Sequence, residues 1–179
     1  MTQNRRTAVV TGGIGGIGTV ICQRLAKDGH QVVATYHPSE EDKLGEWSKA
    51  QEALGLEIGL IGGDVSSAED GARMMSEVEQ RFGPVDILVN CAGITRDGTM
   101  KRMVAEQWDA VIQTNLNSVF YITKPVWEGM LGRGYGRIIN ISSLNGQRGQ
   151  FGQANYSAAK AGMHGFTMAL AQEGAAKGI

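Results

Sequence analysis

The chain has only two cysteines, three prolines and three histidines in 179 residues, and no apolar run long enough to span a bilayer. Cys22 and Cys91 form no Cys-x-x-Cys pair, and His30, His37 and His164 show no metal-ligand spacing. A disulfide framework and a metal centre are therefore excluded, and both thiols read as buried core groups. Seventeen Lys and Arg against 18 Asp and Glu leave no basic excess, which argues against a nucleic-acid partner. No secretory leader is recognisable, so the expected location is cytoplasmic, with no membrane partner. What the chain does have is glycine. Its 26 glycines are about twice the usual ~7% share, and many fall where strands turn into helices. With no linker or repeat, residues 1–179 read as one domain.

The first glycine cluster is the most informative. Thr7-Ala-Val-Val-Thr11 is a short apolar strand, followed by Gly12, Gly13, Ile14, Gly15, Gly16, Ile17 and Gly18. An amphipathic helix from Thr19 to Asp28 and a second strand from Gln31 to Tyr36 complete a βαβ unit. A glycine turn into a helix gathers free N–H groups at the positive helix end, which suits a pyrophosphate. Two registers fit: Gly13, Gly15 and Gly18, or Thr11, Gly12, Gly16 and Gly18.

Strands and helices then alternate. Glu57–Gly62, Val85–Asn90 and Arg137–Ser142 read as further strands, and Ser67–Phe82 as a helix. Ala105–Leu131 reads as a long helical stretch with a kink at Pro125, and Asn155–Lys177 as a final helix. This order predicts an α/β fold, a parallel sheet with helices on both faces and its ligand at the carboxyl ends of the strands. Gly12, Asp64, Asn90 and Ser143 all fall there. Asp64 reads equally as the N-cap of the helix that follows.

Tyr156 and Lys160 stand four apart on that last helix and share a face, and Ser143 lies thirteen residues before the tyrosine. A nearby ammonium favours the phenolate, making Tyr156 a proton donor or acceptor near neutral pH. Ser143 would hold a substrate oxygen beside the phenol. At the end of the second strand, Ala34-Thr-Tyr-His37 contains no acid to meet an adenosine ribose. A 2′-phosphate would meet no repulsion there, so the cofactor reads as NADPH/NADP+.

These features together resemble the short-chain dehydrogenase/reductase family, a Rossmann-type doubly wound fold. The resemblance implies catalytic roles for Asn115, Ser143, Tyr156 and Lys160, with Asn115 orienting water in a proton relay to Lys160. It implies cofactor contacts from the glycine turn, Tyr36, Asp64, Val65, Asn90, Ala92, Gly93, Tyr156 and Lys160. Cys91 stands where the family usually has a second Asn. Within the family, Gly93–Asp97, Asn140–Ser143, Gly149–Tyr156 and Gly165–Glu173 resemble reductases of 3-oxoacyl thioesters. NADPH-dependent acetoacetyl-CoA reductases come first among these and 3-oxoacyl-[acyl-carrier-protein] reductases second, where a basic entrance of Arg96, Lys101 and Arg102 would suit a carrier protein. Asp97, Gln150, Phe151 and Gln153 are then the expected contacts to a small-molecule acyl thioester, with Ser143 and Tyr156. The resemblance also implies a homo-oligomer, a tetramer at full length, joined through Val111, Leu116, Val119, Phe120, Ile122 and Val126. Family members continue beyond residue 179 with further strands and a lid, so a non-catalytic, NADP-binding or self-associating fragment is the alternative of another class.

Overall fold

The computed structural model describes residues 5–179. Five parallel strands form one sheet in the order β3-β2-β1-β4-β5, comprising β1 (Thr7–Val10), β2 (Gln31–Tyr36), β3 (Ile58–Gly62), β4 (Val85–Asn90) and β5 (Arg137–Asn140). The order reverses between β1 and β4, which opens a crevice at their carboxyl ends. Both are buried throughout or nearly so, as expected of strands covered on two faces.

Side chains alternate between two cores. Val9, Val33, Ile61 and Leu88 face helices α3 (Ala68–Phe82) and α5 (Ser118–Arg133), packing on Met74, Met75, Val78, Ile122, Val126 and Met130. Ala8, Val10, Val32, Ala34, Ile87 and Val89 face the other side, where Cys22 and Leu25 of α1 (Gly16–Lys27) and Trp47 of α2 (Leu44–Glu52) cover them. On that second face Ile139 of β5 stays 45% exposed. Helix α7 (Ala154–Gly174) packs Gly162 under Leu116, before α5 begins, and meets α5 only near its own end, where Gly174 lies under Trp127.

Several expectations are corrected. Helix α1 begins at Gly16, inside the glycine turn, and β5 ends at Asn140. Residues Pro38–Lys43 form a 3-10 turn that runs into α2, a helical segment with no counterpart in the sequence reading. Ser67, not Asp64, caps α3, its hydroxyl accepting from the Asp70 amide at 3.2 Å, while Asp64 accepts from the amide and hydroxyl of Ser66 in a turn of its own. Helix α5 continues through Pro125. A further irregularity lies earlier, where Gln113–Asn117 widens into a π-helical turn between α4 (Ala105–Ile112) and α5. Finally, Val111, Val119, Ile122 and Val126 are 2% exposed or less inside the chain's own core, so they are not available to a second subunit. Of the six expected interface residues, Phe120 is the one that stands out, 52% exposed.

Candidate active site

A cleft of about 820 Å³ opens along the carboxyl ends of β1 to β4, in the size range of a ligand pocket. Gly12, Gly15, Gly16, Ile17 and Gly18 line one wall, Tyr36 and His37 the far end, Asp64 and Val65 the floor after β3, and Ala92 and Gly93 the wall after β4.

Each glycine of the turn has its own reason. Gly12 adopts φ +62° and lies so close to β4 that a Cβ would sit 3.0 Å from Ala92 Cα. Gly18 faces the Gly12 carbonyl with no room for a methyl group. Gly13 packs its backbone on Ala34 of β2 and points away from the cleft, as does Ile14, which joins the second core. Gly16 has open space above it. The Thr11–Gly12–Gly16–Gly18 register is therefore the one that shapes the cleft wall.

The Gly15 N-cap offers no side chain and α1 carries no acid in its first turn, so the N–H groups of Gly16, Ile17 and Gly18 open on the cleft with the positive helix end behind them. An anionic pyrophosphate fits this cradle. The residues present therefore fit a dinucleotide.

Thr11, 2% exposed, ties the two central strands together at the crevice. Its hydroxyl accepts from both the Cys91 and Ala92 amides at 3.0 Å. Cys22 is buried, and burial pushes its thiol up to about 12. Cys91 is only half-buried and lines the cleft, and burial also raises its thiol, with the Lys160 ammonium pulling the other way.

Beyond Gly93 the wall meets the catalytic candidates. A Cβ on Gly93 would lie 3.2 Å from Asn115 Oδ1 and 3.7 Å from Lys160 Nζ. Lys160 is 4% exposed and sits 5.7 Å from the Tyr156 ring centroid, on the same face of α7. Its ammonium donates to the Ile141 carbonyl at 2.7 Å, and burial pulls it below its ordinary value, with Cys91 opposing. Ser143 follows in the same loop and its hydroxyl accepts from the Asn145 amide at the start of the short helix α6 (Asn145–Arg148).

Asn115 is fully buried in the π-helical turn, and its amide is engaged on both sides of one residue: it accepts from Ile94 N and donates to Ile94 O, each at 2.8 Å. Its side chain therefore braces the Ile94 loop. Asn90 is not among the cleft-lining residues; its amide donates to Thr123 and Asn140 in the layer beneath.

None of the four expected substrate contacts lines this cleft; Asp97 follows its lining residue Arg96 directly. Gln153 donates to Asp97 at 2.9 Å and accepts from Asn145 at 2.9 Å, joining three segments, while Gly98 N bonds to Gly152 O. Phe151 is 87% exposed and Gln150 is exposed beside it. The sequence reading missed Ser39, Glu40 and Lys43, which also line the cleft at its Tyr36 end. Glu40 and Lys43 pair at 3.0 Å, so a carboxylate and an ammonium both reach a region read as free of acid. Pro38, a good first residue for a helical turn, was the available signal. Among the described residues, no helix is long and apolar enough to cross a membrane.

The short chain dehydrogenase family matches residues 6–179. The chain is 68% identical to an acetoacetyl-CoA reductase of Allochromatium vinosum, over 97% of this chain and 71% of that protein. It is 55% identical to an acetoacetyl-CoA reductase of Cupriavidus necator, over 100% of this chain and 72% of that one. A 3-oxoacyl-[acyl-carrier-protein] reductase of Vibrio cholerae is 40% identical over 100% of this chain and 71% of its own length.

Proposed function

From the premise that the chain belongs to the short-chain dehydrogenase family, we propose that it reduces acetoacetyl-CoA with NADPH. The product is (R)-3-hydroxybutyryl-CoA, the monomer of polyhydroxybutyrate, made in the cytoplasm. The observation that carries this reading is Lys160, buried 5.7 Å from the Tyr156 ring at the end of the cleft wall formed by Ala92 and Gly93.

The cradle of Gly16, Ile17 and Gly18 amides would hold the pyrophosphate, with Asp64 and Val65 at the adenine and Tyr36 at the adenosine ribose. Lys43 supports the choice of a 2′-phosphate, since it is a cation lining the Tyr36 end of the cleft. When bound, the chemistry NADPH supplies is a hydride for the 3-oxo carbon. Ser143 and Tyr156 hold the 3-oxo oxygen, and hydrogen bonds aimed at it strengthen as negative charge develops. Tyr156 gives that oxygen its phenolic proton, and the Lys160 ammonium offsets the charge left on the phenolate. Asp97, Gln150, Phe151 and Gln153 orient the acyl arm.

Phe120, with Trp108 38% exposed on α4, supports self-association, and we take the assembly to be a homotetramer. The carrier-protein reading keeps one support, the exposed Arg96, Lys101 and Arg102 in the loop after β4. The deciding measurement is kcat/KM for acetoacetyl-CoA and for a 3-oxoacyl carrier protein, with chiral analysis of the product. Preference for the CoA ester and an (R) alcohol supports the proposal. Preference for the carrier protein replaces it, and no turnover of either makes the chain a cofactor-binding fragment.

A further inference from the structure

We infer that Asn155 is a positioning residue, fixing the first turn of α7 so that the Tyr156 phenol stands where the reduction needs it; this rests on Tyr156 being the proton donor proposed above. Asn155 is fully buried, one residue before Tyr156. A primary amide offers two N–H donors and one carbonyl oxygen, and all three groups are engaged. The Nδ2 group donates to the Arg96 carbonyl at 3.0 Å and to the Gln107 carbonyl at 3.1 Å, and Oδ1 accepts from the Tyr156 amide at 2.8 Å.

The three partners belong to three different segments. Arg96 lies in the loop after β4 that Asn115 grips at Ile94. Gln107 lies in α4, and Tyr156 in the first turn of α7. A helix start is a place where backbone N–H groups lack partners. Asn155 satisfies one of them and anchors that turn to the loop and to α4. Gln153 ties the residue before α7 to Asp97 and Asn145, and Asn155 alone joins the Tyr156 amide itself to the loop and to α4. Lys160 is held separately, through Ile141 and Ser142, and the glycine cradle shares no atom with the Asn155 contacts. Loss of the Asn155 donors should therefore move the phenol and loosen the loop at Arg96, while the glycine cradle that would hold the pyrophosphate stays in place. A displacement of about 1 Å costs on the order of 100-fold in rate.

The informative variant is Asn155→Asp. It keeps the shape and the acceptor for Tyr156 N, but turns two donors into a carboxylate oxygen facing two carbonyls. Protonation returns one O–H donor. The charged or titratable groups on the segments it touches are Cys91, Arg96, Asp97, Lys101 and Arg102 in the loop, Glu106 and Asp109 on α4, and Tyr156, Lys160, His164 and Glu173 on α7. They are common to both proteins, so the ratio of variant to wild type isolates the new carboxyl group.

At pH about 8 we expect kcat at least roughly tenfold below wild type, with KM for acetoacetyl-CoA and the fluorescence-titrated Kd for NADPH within about twofold. As pH falls toward about 5.5, the kcat ratio should climb. Asn155→Ser, melted alongside by circular dichroism, guards against a variant that fails to fold. Hydrogen exchange should quicken in 94–98 and 154–158 together in both variants. The inference is overturned by a folded Asn155→Asp with kcat within about threefold of wild type, by a flat ratio, or by equal loss of kcat and NADPH affinity. If wild type turns over no 3-oxoacyl thioester, the proposed function fails by itself. Exchange then decides alone: faster exchange in both segments supports the clasp, and unchanged exchange in either one removes it.

Discussion

Lys160 and Ser142 hold each other's segments in place. The Ser142 hydroxyl donates to the Lys160 carbonyl at 2.9 Å, one residue after the carbonyl of Ile141 has accepted the Lys160 ammonium at 2.7 Å. The loop that carries Ser143 is thus fastened to the helix that carries Tyr156 from both the side chain and the backbone of one lysine. Gly146 completes the contact, its backbone lying directly against Lys160 and Ala161.

Tyr156→Phe removes the phenolic proton and little else. Reductase turnover should fall by about 10²- to 10⁴-fold while NADPH affinity, measured by fluorescence titration, is retained. Retention of more than about a tenth of wild-type kcat would reject Tyr156 as the acid.

NADPH should be used in preference to NADH, and Tyr36→Asp should invert or erase that preference. The new carboxylate repels a 2′-phosphate and binds a free 2′-OH. Lys43→Gln should act in the same direction, since it removes a cation lining that end of the cleft. The measurement is kcat/KM for both cofactors; unchanged ratios in both variants would place the ribose elsewhere.

The buried Lys160 predicts a pH dependence of stability. Burial holds its proton less tightly in the folded chain than the ordinary 10.5 of the unfolded one. The unfolded state therefore binds more protons in the window from the lowered value up to 10.5, and stability rises with pH there. Below the window the cost of burying the charge is fully present. Melting of wild type and Lys160→Met across this range should show the variant's relative advantage shrinking as pH rises. Parallel curves would contradict it.

Two glycine substitutions should have opposite signs. Gly165 lies inside α7 with open space around it, so Gly165→Ala should stabilise by about 0.4–1 kcal/mol. A Cβ on Gly146 would sit 2.7 Å from the Lys160 carbonyl carbon, so Gly146→Ala must push α6 off α7 and destabilise. Chemical denaturation at neutral pH reads both.

The strands from Gln31 to Tyr36 and from Val85 to Asn90 were legible to the residue because β-branched and apolar runs end there at glycine, proline or a polar turn. Segment 38–52 was not, since the acidic run Glu40-Glu41-Asp42 hides the amphipathic turn that carries Trp47 onto the sheet. Residue types alone singled out Tyr156, Lys160 and the glycine turn. They could not say that the Asn115 amide holds Ile94, or that Ile122 and Val126 face the chain's own sheet, because a stripe of apolar residues states that a face is covered but not by what.

Strand β1 is synthesised before both of its neighbours and ends in the middle of the sheet, with β2 on one side and β4 on the other. Its second neighbour arrives only when residues 85–90 have been made, and the Thr11 hydroxyl cannot meet the Cys91 and Ala92 amides until then. Contacts so distant along the chain are slow to form. The nascent chain must therefore carry Val9 and Val10 half-covered through many residues of translation, a stage at which apolar strands invite wrong partners. The two walls of the cleft meet late, and a nascent chain that has not yet reached β4 has only one of them.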